Sequence, residues 1–82
     1  MAEMIKVIGA EIALSTANTV ARASAVRVVN DTAGSVLITR ANTGGTIGSC
    51  TLHTLSAEVF EKDPDDTLAA SAAVKAAPVA YN

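Results

Sequence analysis

Cys50 and His53 are the only thiol and the only imidazole in this 82-residue chain, and they stand three residues apart. On one face of an element such a pair could share a zinc ion or act as nucleophile and base. The run from Ile47 to Leu55 reads as a strand, however, and an odd spacing on a strand sends two side chains to opposite faces. A packed cysteine and a surface or interface histidine are expected instead. Asp63, Asp65 and Asp66 form the second candidate set. A calcium loop needs six or more oxygens at a characteristic spacing and a later bidentate glutamate, which is missing here. The same residues suit the start of a helix. Asp63 would be the N-cap, Pro64 the first helical residue, and Asp65 and Asp66 would face the positive end of the dipole. The expectation is that Asp63 caps one short helical turn near residues 64–70. Ser49 and Ser71 have no Gly-x-Ser-x-Gly elbow around them. The run Gly44-Gly45-Thr46-Ile47-Gly48-Ser49 lacks the lysine and following helix of a phosphate-cradling loop. No catalytic residue, cofactor-binding residue or metal ligand is expected.

The elements available to position side chains are strands. Between Ser24 and Lys62, β-branched and apolar residues alternate with polar ones, and turn residues interrupt at Asn30-Asp31-Thr32-Ala33-Gly34 and Asn42-Thr43-Gly44-Gly45. That pattern predicts consecutive antiparallel strands joined by hairpins. Strands are expected near residues 4–8, 25–30, 35–41, 47–55, 57–62 and 73–81. Glu11 to Leu14 would continue the first one after a break at Gly9. Residues 15–19 read as a loop, and Val20 to Ala23 are open. Alanine and arginine allow a helix over Thr19 to Val26, while its Thr and Val content and the strand that follows argue against one. The Ala-rich tail reads as a final strand, with Pro78 at an edge or a bulge. The fold class is all-β, a small antiparallel β-sandwich or barrel in a single domain over residues 1–82, with residues 1–19 either part of it or an extended arm. Val26, Val28, Val36, Ile38, Leu52, Val59 and Phe60 are the expected core.

Composition limits what such a domain can do. Half the residues are apolar, but many are alanines, and Phe60 and Tyr81 are the only aromatics. Aromatic side chains supply much of the burial in most cores, so this core is expected to be thin. Small domains offset thin cores with disulfides, metals or oligomerisation. One cysteine cannot form an internal disulfide, which leaves association. Six basic and eight acidic residues are scattered along the chain, giving a net charge of −2. That distribution lacks the basic stripe of a nucleic-acid binder. No apolar run approaches membrane-spanning length, and the first residues do not read as a signal peptide. A free Cys50 fits a reducing compartment.

The order Ala25-Val26-Arg27-Val28-Val29-Asn30, then Val36-Leu37-Ile38-Thr39, then Gly48-Ser49-Cys50-Thr51-Leu52, then Glu61-Lys62-Asp63-Pro64-Asp65-Asp66-Thr67-Leu68-Ala69-Ala70, and last Pro78-Val79-Ala80-Tyr81 resembles a class of short virion structural proteins of tailed bacteriophages, many from marine phages. The resemblance covers about residues 20–82 and transfers no site residues. It implies a non-enzymatic, multi-copy protein located in the virion after synthesis in the host cytoplasm. The first expectation is a capsid decoration or cement protein, since shell symmetry multiplies modest contacts. Its partners would be copies of itself, most simply in a trimer, and a capsid shell. A neck or tail accessory protein is the alternative. A module binding host-surface glycans ranks lower, because sugar rings stack on aromatics and only Phe60 and Tyr81 are present. An enzyme ranks last.

Overall fold

A computed structural model of the chain describes residues 5–81. Eight strands run through them: β1 (Ile5–Val7), β2 (Ile12–Leu14), β3 (Ala25–Val29), β4 (Val36–Asn42), β5 (Gly45–Leu52), β6 (Ala57–Glu61), β7 (Thr67–Ala70) and β8 (Val74–Tyr81). In β3, successive side chains point to opposite faces, so Val26 and Val28 are wholly buried while Arg27 between them stays in water. The strands form two antiparallel sheets. In the larger, β1 and β2 both pair along β8, which is followed by β3 and β6; in the smaller the order is β5-β4-β7. Their inner faces meet in one cluster that joins Leu14, Val26, Val28 and Val74 to Val36, Ile38, Leu52 and Leu68. The fold is thus an all-β sandwich. Met4, expected in the first strand, lies outside the described residues.

Among the described residues, only β4 and β5 form a hairpin between sequence neighbours. The Asn30–Gly34 segment, expected as a second hairpin turn, is an arch that carries the chain from the larger sheet to the smaller. Asn30 causes this. It is wholly buried, and its Nδ2 donates to the carbonyls of Gly34 and Leu52 at 2.9 Å each. Its Oδ1 accepts from the Thr32 N–H at 3.0 Å and the Thr32 hydroxyl at 2.6 Å. The arch is therefore tied to the end of β5 rather than folded back on β3.

The helical turn expected over residues 64–70 does not form. Residues 67–70 are β7, bonded to β4 on one side and to the 15–18 segment on the other. Alanine's helix preference is a weak prior, and pairing along both edges, with Leu68 fully buried, overrides it. Asp63 therefore caps no helix. It opens a tight turn in which the Asp66 N–H donates to the Asp63 carbonyl at 2.9 Å. Val20, Ala21 and Arg22 are neither helix nor strand: all three are left-handed, with φ of 52°, 56° and 57°.

Val26, Val28, Val36, Ile38 and Leu52 are buried as expected, but Val59 and Phe60 are only half-buried. Val59 lies opposite exposed Arg27 on the outer face, and Phe60 points inward from an edge strand that the smaller sheet does not cover. Leu14, Val20, Ala23, Leu68, Val74 and Ala76 complete the core cluster, and Val79 is buried outside it. Pro78 sits in β8 where its neighbour is interrupted between β1 and β2, so its missing N–H meets no ladder partner. Gly9 occupies that interruption because a Cβ there would come within 2.6 Å of the Pro78 Cγ.

Candidate functional site

The two sides of the sandwich differ. On one side the 15–18 segment closes the gap between the sheets. Asn18 exchanges backbone hydrogen bonds with Leu68 at 3.0 and 2.9 Å, and the Ala70 N–H donates to the Ser15 carbonyl at 2.9 Å. On the other side, among the described residues, β5 and β6 are both free edges, and the seam stays open. Cys50 pairs with Ile38 and Gly48 with Arg40, so these β5 residues face inward. Of the eight residues in β5, only Leu52 is buried. The result is a groove of about 230 Å³ lined by Ile38, Arg40, Ile47, Cys50, Phe60 and Leu68. Ile47 is the extra residue of a β-bulge, since Arg40 pairs with Gly48 and Ala41 with Thr46.

Cys50, expected to be packed, is exposed in this groove because no strand among the described residues crosses over β5. β5 ends at Leu52 rather than at residue 55, and His53 lies in the following turn, where Leu55 is left-handed at φ 58°. The His53 Nδ1 is 3.4 Å from the Ser35 hydroxyl. Cysteine and histidine are not brought together. Ser49 lies at the groove's rim. The Ser71 hydroxyl accepts the Leu37 N–H at 3.0 Å and serves the backbone.

The acidic residues 63, 65 and 66 meet cations of the chain itself. Asp66, nearly buried, accepts from the Arg40 Nε at 2.9 Å, the Arg40 Nη2 at 2.6 Å and the Asp63 N–H at 3.2 Å, all on one oxygen. Those donors favour the ionised form, and the Arg40 bonds do most to hold the Asp66 carboxyl below its ordinary 3.8. Asp65 pairs with Arg22 at 2.8 Å in water. Lys62 is almost wholly buried, with its Nζ donating to the Asp63 and Pro64 carbonyls at 3.3 and 3.2 Å. Burial lowers the Lys62 ammonium below its ordinary 10.5, against the opposing pull of Asp66. Among the described residues, no three His, Cys, Asp or Glu side chains converge as metal ligands would. The cluster fastens the β6–β7 turn to β4.

Sequence reasoning missed Asn30, Arg40 and Lys62. An Asx turn was legible at Asn30, two residues before Thr32. Nothing local marks Arg40 as the partner of Asp66, or Lys62 as buried. No protein-family model matches the chain, and no curated protein or solved structure matches it either.

Proposed function

We propose that this chain is a small virion structural protein of a tailed bacteriophage, a decoration or cement protein that works by associating with its own copies and with a capsid shell. The observation that carries the reading is apolar surface left uncovered on a folded domain. Val7 is 66% exposed, Ile47 46%, Leu37 45% and Leu55 82%, with Ile8 beside Val7 also exposed. Leu37 belongs to a strand with apolar residues on both faces, of which the single chain covers only the inner one. Such surface is a liability in a protein that stays alone and an asset in one that docks. The resemblance of residues 20–82 supplies the class of assembly, and shell symmetry would multiply each modest contact.

The test adds purified protein to shell particles that lack it. Co-sedimentation and a higher particle melting temperature are the expected results. A protein that neither sediments with particles nor shifts their melting would overturn the reading.

A further inference from the structure

We infer that β5 is the self-association strand: the Gly48–Leu52 half of its free edge pairs antiparallel with the same strand of a second copy. This rests on the associative reading above and names its surface. The argument begins with the edges. The 15–18 segment already covers β7. β6 carries Glu58 and Glu61, and the interrupted β1–β2 edge carries Lys6 and Glu11. β5 alone has eight residues without a charge or a proline. Free edges in monomeric proteins are usually blunted by charge, proline or a bulge. The one such device on β5 is the bulge at Ile47. It lies ahead of Gly48 and leaves Gly48–Leu52 in regular register with β4.

Charge selects a second copy as the occupant. In two-fold pairing a strand meets its own sequence, so any charge on it is doubled along a short ladder. Two copies of β6 would bring four glutamates together, whereas two copies of β5 bring none. An antiparallel edge pair has its two-fold axis perpendicular to the sheet, so inner faces stay on the same side. Gly48 and Cys50 of both copies then floor one continuous groove, with a half-buried Phe60 at each flank. The two small sheets become one six-stranded sheet, β7-β4-β5-β5-β4-β7. Such an isologous contact closes at two copies, giving a dimer in place of a trimer.

The experiment compares the full chain with a Ser49→Lys, Thr51→Lys double variant and with Glu58→Lys as an edge control. Both β5 positions face outward opposite Thr39 and Leu37, so the lysines leave the core intact. An unchanged far-ultraviolet spectrum checks that each variant folds. Mass is read by light scattering over a concentration series, and Cys50 is probed with a short bis-maleimide. The expected result is a wild-type dimer that cross-links through Cys50, a dissociation constant raised about tenfold or more in the double variant, and no change in the control. A wild type that stays monomeric overturns the inference. So does a double variant that associates as tightly as wild type, although that result leaves the associative reading standing through another surface. Dimers that form through β5 but never bind shell particles would uphold the inference and remove the capsid role.

Discussion

Asn30 uses both ends of its side chain inside the protein, donating to Gly34 and Leu52 and accepting twice from Thr32. Its backbone adds two bonds to the β5–β6 turn, at 2.8 Å to the Ser56 carbonyl and 2.8 Å from the Leu55 N–H. Truncation strands a buried Leu52 carbonyl as well as the arch. Asn30→Ala is expected to cost about 2–3 kcal/mol, read from the urea midpoint at constant slope. Asp66 sets a pH dependence. Its folded pKa lies below the ordinary 3.8, chiefly through Arg40, so its contribution to stability is whole above that value and is lost as pH falls through the folded one. Lys62 also makes stability rise with pH, in a higher range and by relief of a cost. Burial lowers its pKa, so the penalty on its charge is full below the lowered value and is relieved as pH rises from there towards 10.5. Asp66→Asn is expected to lower the melting temperature at pH 7 and to flatten its decline below about pH 4, measured as a melting series.

The segment between β2 and β3 shows how an element can be dictated from outside itself. Three consecutive left-handed residues without a glycine are costly, at roughly 1–2 kcal/mol each. Val20 is held there by the Asn18 Oδ1, which accepts its N–H at 2.7 Å, and by full burial of its side chain. Ala23 closes the turn by donating to the Val20 carbonyl at 3.2 Å. Ala21 is exposed and contributes only its backbone. Ala21→Gly is therefore expected to stabilise the protein by about 1 kcal/mol, seen as a raised urea midpoint. An unchanged or lowered midpoint would mean that the turn is not under strain.

Across the whole molecule, the closed and open sides of the sandwich should respond differently to truncation. Leu68 belongs to β7 on the closed side, 1% exposed and bonded through its backbone to Asn18, with its side chain at the inner wall of the groove. Leu68→Ala leaves a cavity that its surroundings cannot refill, at about 3 kcal/mol. Phe60 borders the open groove and is already partly exposed, so Phe60→Ala is expected to cost only about 1–2 kcal/mol despite the larger side chain. Paired urea titrations would check that order. A reversed order would show the seam closing over Phe60 in solution.

The strands were legible in the sequence wherever burial repeats every second residue. Val26 and Val28, Val36 and Ile38, and Leu52 announce an inner face because alternation is a local property of extended chain. The sparse inventory of reactive side chains was equally legible. The partner of each strand was not. Asn30 to Gly34 carries the residues of a hairpin turn, yet the side-chain bonds of Asn30 reach a strand 22 residues away and send the chain to the other sheet. Thr67–Ala70 has a helix-friendly sequence, and becomes a strand because Arg40 and Ala41 on one side and Asn18 on the other offer their backbone groups. Val59 alternates as convincingly as any core residue, but it faces outward opposite Arg27. Local periodicity therefore determined that this chain folds into strands and which side chains can share a face. Contacts between residues far apart in the chain decided which sheet each strand joined, and so left the seam between β5 and β6 open, because hydrogen-bond partners and cover come from segments that no local window contains.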